Sequence, residues 1–166
     1  MLMGSKVSVI DVLITVLLLS LAASCTCGST ETTPNQTKPI ITYESVELVL
    51  YTDKTTYELG EVITITLTVT NKGNSSLKLT FPSAQQYDFV ITMGGEEIWR
   101  WSHDKMFAAV LTEGTLAPSE STVYQEKWPQ KDYQGEPVPP GSYQVIGVLT
   151  AHPESVSHPL TIEIIE

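Results

Sequence analysis

Apolar and polar positions alternate with a period of two along most of the chain beyond residue 40. The clearest run is residues 62–70, where Ile63, Ile65, Leu67 and Val69 alternate with Thr64, Thr66, Thr68 and Thr70. Successive side chains of a strand point to opposite faces. The run therefore predicts an antiparallel strand with an apolar inner face and a threonine-lined outer face. Residues 44–52 repeat the pattern with Val46, Leu48 and Leu50 on one face. Leu77, Leu79 and Phe81 continue it after the turn signal Asn71-Lys72-Gly73-Asn74. Residues 122–128, 142–150 and 160–165 predict three more strands, and Gly147 marks a candidate bulge in the second of them.

The pattern centres on residues 81–107. Tyr87, Phe89 and Ile91 alternate with Asp88 and Val90, then Met93-Gly94-Gly95-Glu96 supplies a turn in which Gly-Gly tolerates positive φ. On the return strand Trp99 and Trp101 share one face and Arg100 takes the other. This places two of the three tryptophans and the only arginine in three consecutive positions. Aromatic residues bury the most area, so the hairpin is the expected centre of the core. Residues 103–113 are the one stretch with helical character and predict a helical turn or an irregular crossover. Residues 129–141 hold four prolines and two glycines and predict a loop. Together these elements predict an all-β fold, an immunoglobulin-like antiparallel β-sandwich of about seven to eight strands.

The front of the chain departs from this pattern. Residues 7–23 are nearly all apolar, follow Lys6, and lead through Ala22-Ala23-Ser24 to Cys25. A charged start, an apolar middle and small residues form the layout of a secretory signal peptide. A cysteine directly after them resembles a bacterial lipobox, in which Cys25 carries the lipid. The expected division is a signal peptide over 1–24, a lipidated N-terminus and tether over 25–39, and one β-sandwich domain over 40–166. Plain secretion is the alternative. Ser, Thr, Gly, Pro and Asn dominate the tether, which cannot bury a core.

The chain has 166 residues and a net charge of −10, which removal of residues 1–24 leaves unchanged because they carry one Lys and one Asp. Nucleic acid demands a basic surface, so no nucleic-acid partner is expected. Anionic headgroups would also repel the domain, so membrane contact is expected through the N-terminal lipid alone. Cys25 and Cys27 are the only cysteines. They are too close in sequence to clamp a domain, and the strands contain neither a disulfide nor a thiolate metal site.

His103, His152 and His158 lack the helical spacing or cysteine partners of a zinc site, so no metal is expected. Ser102-His103-Asp104 reads superficially as a catalytic string. Triads are assembled in space, however, and neighbouring residues at a strand end point apart. No nucleophile elbow, phosphate loop or carboxylate pair stands out, so neither catalytic residues nor a cofactor are expected.

Four runs carry a family resemblance. Phe81, Ser83, Ala84, Gln85, Tyr87 and Asp88 come first, followed by Trp99, Trp101, Ser102, Asp104, Lys105, Met106 and Phe107. Leu116, Pro118 and Glu120 then lead to Trp128, and Pro140, Gly141, Tyr143 and Val145 close the series. In order and spacing these resemble the BsuPI-type intracellular proteinase inhibitor family. Ala84 stands where the family carries glycine, and a positive φ there would cost alanine about 1 kcal/mol.

The resemblance implies an immunoglobulin-like sandwich, a protein that is not an enzyme, and inhibition of a serine endopeptidase, with a subtilisin-type protease as the expected partner. It carries no inhibitory contact residues with it. The alternative function is a non-inhibitory binding or assembly module at the cell surface. The roles of the motif residues are open. Gln85 and Asp88 either satisfy the domain's own turns or bind a partner backbone. Trp99 and Trp101 either pack the core or form a binding stripe. Arg100 is either an anchor or an ion-pair partner of Glu96 or Glu97. For an inhibitor, the candidate loops are residues 93–97 and the proline-stiffened residues 129–141.

Overall fold

A computed structural model describes residues 35–36, 40–41, 45–152 and 154–166, all within the compact unit Thr32–Glu166. The signal peptide and Cys25 expected from the sequence lie outside the described residues. In chain order the strands are β1 (Asn35–Gln36), β2 (Ile40–Ile41), β3 (Val46–Thr52), β4 (Thr56–Glu58), β5 (Ile63–Asn71), β6 (Leu77–Phe81), β7 (Tyr87–Met93), β8 (Glu96–Arg100), β9 (Thr112–Leu116), β10 (Ser121–Trp128), β11 (Gly141–Leu149), β12 (Ser155–Val156) and β13 (Leu160–Ile165). There is no helix among the described residues.

The long strands form two sheets. One runs β1-β3-β5-β10, with β2 also on β3. The other runs β4-β13-β11-β7-β8, with β12 also on β11. Their inner faces share one apolar core, built from Val46, Leu48 and Leu50 of β3, Ile63, Ile65, Leu67 and Val69 of β5, and Phe89, Ile91, Tyr143, Val145, Ile162 and Ile164 opposite. The all-β sandwich predicted by the period-two pattern is thus the fold. A two-stranded sheet, β6-β9, accompanies them and contributes Leu79, Phe81 and Leu116 to the core.

The structure departs from the expectations in its strand count and decides two open readings. Thirteen strands are present among the described residues where seven to eight were expected. The surplus is mostly short: β1, β2, β4 and β12 are two or three residues long. A segment that short shows no alternation and exists because a longer neighbour offers it free hydrogen-bonding groups.

Gly147 pairs with β7 in unbroken register, and on its other edge the pairing slips by one residue between Val145–Leu160 and Val148–Val156, an irregularity next to the expected bulge. A Cβ there would lie 3.0 Å from Leu67 Cδ1 and 3.2 Å from Leu50 Cδ1, so the glycine permits close approach of the two sheets. A second irregularity falls between Ile91 and Thr92 of the β7–β8 pair. Of the two readings of residues 103–113, a turn ends at Asp104 and residues 105–111 form the irregular crossover.

Candidate functional site

The β7–β8 hairpin organises the candidate site. Gly94 and Gly95 turn it at φ values of +60° and +89°. β8 is an edge strand of its sheet, and alternation aims Trp99 and Trp101 at β10 of the facing sheet. Trp99 lies 6.3 Å from Trp128, whose ring meets Tyr143 edge-on at 5.6 Å. Trp101 stacks on Tyr87 at 4.5 Å, and Tyr87 stacks on Tyr124 at 4.4 Å. Phe107 extends this row, 5.8 Å from Trp101. The Tyr87 hydroxyl donates to Glu126 at 2.6 Å. Burial, and then the Glu126 contact, push the pKa of that hydroxyl up.

On the opposite face of β8, Arg100 is held by two carboxylates. It donates to Asp88 at 3.1 Å and, through two nitrogens, to Glu97 at 3.1 and 2.7 Å. Asp88 is only 3% exposed. Its carboxylate also accepts from the Ser102 N–H at 3.1 Å, the Ser102 hydroxyl at 2.5 Å and its own neighbour Phe89 N–H at 2.9 Å. One buried carboxylate therefore ties β7, β8 and the turn after β8 together, with charge-assisted bonds that are stronger than neutral ones. The Arg100 guanidinium beside it holds the Glu97 carboxyl below its usual range.

Two loops follow from this framework. The first, residues 129–140, folds back onto the domain. Gln130, 1% exposed and at φ +55°, accepts from Gly60 N–H at 2.7 Å and donates to the Glu58 carbonyl at 2.9 Å. Asp132 accepts from the N–H groups of Gln134 and Glu136 at 2.8 and 2.9 Å. The Trp128 indole donates to the Lys131 carbonyl at 2.8 Å, and the Tyr143 hydroxyl to the Pro139 carbonyl at 2.6 Å. The Tyr133 hydroxyl donates to Glu97, and its ring lies 4.2 Å from that of His103. Burial first and Glu97 second push the Tyr133 hydroxyl up to about 12. The loop thus lies alongside β8, and with the β7–β8 turn it frames a groove lined by Met93, Ile98, Tyr133, Pro137 and Val138.

The second, residues 105–111, does the reverse. Met106 is 99% exposed, Val110 53% and Leu111 64%, and Ala108 and Ala109 are also exposed. Only Phe107 turns partly inward, onto Trp101. Its ends are fixed: the Lys105 N–H donates to the Ser102 carbonyl at 3.1 Å, and the Thr112 hydroxyl to the Ser83 carbonyl at 3.0 Å. Between them the Ala84 N–H donates to the Ala108 carbonyl at 3.0 Å. Ala84 is not among the positive-φ residues, so alanine is unstrained where the resembled family carries glycine.

The residues singled out from the sequence thus divide between the loops. Phe81, Ser83, Tyr87, Asp88, Trp101, Ser102 and Phe107 gather around residues 105–111. Trp128, Gly141 and Tyr143 support residues 129–140, and Trp99 joins the latter through Trp128. Gly141, at φ +152°, leaves room for Met93, whose Cε would lie 2.8 Å from an added Cβ. The Gln85 amide donates to the Tyr87 carbonyl at 3.1 Å within its own segment. Ser102 donates to Asp88 while His103 packs on Tyr133, so Ser102, His103 and Asp104 form no relay. Among the described residues no group of three or more His, Cys, Asp or Glu is arranged to hold a metal ion.

Sequence reasoning missed Met106 as an exposed side chain, together with Gln130 and Tyr133. The available signal was an apolar run, Met106 to Leu111, without the alternation of its neighbours.

A family model described as "BsuPI: Intracellular proteinase inhibitor" matches residues 50–154. A search among curated proteins finds no relative. Among solved structures, a β-glucosidase from Erythrobacter marinus aligns at a TM-score of 0.44 and 13% identity, over 73% of this chain and 15% of that one. An alkylpurine DNA glycosylase from Pseudomonas fluorescens aligns at 0.42 and 13%, over 80% and 30%. A CARDB domain from Pyrococcus furiosus, solved with di-metal ions, aligns at 0.41 and 14%, over 76% and 94%.

Proposed function

Because the chain belongs to the BsuPI family of intracellular proteinase inhibitors, we propose that it inhibits a serine endopeptidase of the subtilisin type, and that it does so outside the cytoplasmic membrane as a lipoprotein anchored through Cys25. The observation that carries the inhibitory reading is a loop system locked before any partner arrives. A loop that must be ordered on binding pays conformational entropy at that step, whereas a fixed loop has already met the cost in folding. Here the hydrogen bonds of Gln130, Asp132, Asp88 and Ala84 hold both loops in place. Export and lipidation rest on the apolar run at 7–23, the small residues after it and Cys25. The net charge of −10 leaves the lipid as the membrane contact.

The test is a titration of subtilisin with the purified protein, following residual activity and the integrity of the added chain together. Stoichiometric loss of activity with the chain intact is the expected result. Unchanged activity, or steady digestion of the chain, would overturn the inhibitory reading and favour a surface binding module. Labelling with a radioactive fatty acid tests the anchor: label is expected in the wild type and absent in Cys25→Ser.

A further inference from the structure

We propose that residues 105–109 are the segment that enters the protease cleft, as an added strand, with the Met106 side chain filling the primary specificity pocket. This rests on the inhibitory reading and names its site. The partner it fits is an endopeptidase that binds substrates extended and whose pocket accepts a long, unbranched apolar side chain.

Four observations converge on this segment. It belongs to no strand, the Val110 N–H turns back on the Ala108 carbonyl at 2.8 Å to close it, and, among the described residues, no protein acceptor meets the N–H groups of Met106, Phe107, Ala108 and Ala109. Unpaired backbone is the template for strand addition, in which main-chain bonds give affinity and alternate side chains give specificity. Met106 is 99% exposed, and the apolar run that contains it is costly to leave in water unless it serves a contact. Next, the segment is anchored: Ser102 on Asp88 before it, Phe107 on Trp101 and Ala108 on Ala84 within it, and Thr112 on Ser83 after it. Such anchors fix the course of the segment and keep its two halves in place under attack. Finally, Lys105 lies over the Trp101 ring and Phe107 turns onto it, so of the neighbours of Met106 only Ala108 and Ala109 face outward, and they offer no bulk against the walls of a narrow cleft.

The loops expected from the sequence are less suited. Residues 129–140 and the β7–β8 turn engage each other through Tyr133 and Glu97, and the former spends its backbone groups on itself.

The experiment compares the inhibition constants of the full chain and of Met106→Asp and Met106→Lys against subtilisin, with Tyr133→Phe as a control and thermal unfolding measured for each. Met106 touches nothing structural, so its variants should unfold like the wild type. Met106→Asp is expected to weaken inhibition at least about 30-fold, the effect of a central hot-spot side chain. Met106→Lys is expected to weaken subtilisin inhibition and to gain inhibition of a trypsin-type protease, a switch that mere disruption of the fold would not produce. Tyr133→Phe is expected to inhibit as the wild type does. If the wild type inhibits and both Met106 variants inhibit equally well, this inference is wrong while the inhibitory reading stands. If the wild type does not inhibit, both fall.

Discussion

Residues 129–140 and residues 105–111 are both exposed connections beside the same edge strand, yet they are stabilised in opposite ways. The first spends its polar groups within itself and on the domain beneath it. Its polar groups meet Gly60, Glu58, Asp132 and Glu97, and its prolines fix φ where no N–H is needed. The second is held from outside, by a carboxylate, an aromatic ring and two backbone contacts, and keeps its outer side unpaired. A self-satisfied loop has little to offer a partner. A clamped one is rigid and still has free hydrogen-bonding groups, and that combination is what docking requires.

The largest expected effect comes from breaking the clamp at its root. Asp88→Ala removes a buried carboxylate with four donors on it and leaves the Arg100–Glu97 pair alone on that face. A loss of about 3 kcal/mol in urea unfolding is expected, because buried charge partners and unsatisfied donors are expensive. Limited proteolysis should then cut within residues 105–111 first. Next in size, Gln130→Ala strips two hydrogen bonds from a buried side chain and should cost about 2 kcal/mol in the same assay. It should loosen residues 129–140 and leave inhibition intact, since the contact lies elsewhere.

Phe107→Ala sharpens the comparison further. It removes one partly buried ring from the Trp101 row and should cost about 1 kcal/mol. Inhibition should weaken more than the stability loss explains, because the segment is no longer pinned at its middle. Measuring that variant at a temperature where thermal unfolding shows it fully folded should not restore the inhibition constant.

The smallest effect is the pH dependence of the Glu97–Tyr133 contact. Tyr133 ionises at about 12 in the folded protein against an ordinary value of 10.0, so its contribution is complete below pH 10 and is lost as pH rises towards 12. Tyr57, also pushed up to about 12 and mainly by burial, behaves the same way. Tyr133→Phe should therefore flatten part of the alkaline fall in melting temperature. Glu97 acts at the other end: its pKa is lowered from 4.5, chiefly by Arg100, so its contribution is present above that value and fades as pH falls below it.

How much of this was legible in advance depended on whether a signal was local. β5 could be read because threonines and branched aliphatics alternate through it, and the Gly94-Gly95 turn because only positive φ closes it. β4 could not be read: three residues, Thr-Tyr-Glu, become a strand by pairing in parallel with distant β13. β9 carries a glycine and a glutamate and gains its form from β6. Gly147 was noticed, but a glycine in a strand signals either a bulge or a close approach; the facing Leu50 and Leu67 and the register slip opposite it show that it meets both.

The site shows the same split. Arg100 was expected to pair with Glu96 or Glu97 and does pair with Glu97, a neighbour in sequence. Its bond to buried Asp88 needed the hairpin register, Val90 opposite Arg100, to be known. For residues 103–113 a helical turn and an irregular crossover stayed open, because composition says nothing of the distant contacts, Phe107 on Trp101, Ala84 on Ala108 and Thr112 on Ser83, that hold them.

The outward position of Met106, Ala108 and Ala109 has a consequence for how such a domain changes over time. These side chains make none of the contacts that hold the fold, while Ser83, Asp88, Trp101, Ser102 and Phe107 make the clamp around them. The protein is built as a frame with an exchangeable insert. Mutations in the insert are invisible to folding and are judged only by whichever protein meets them, so one frame can acquire new targets without passing through an unstable intermediate.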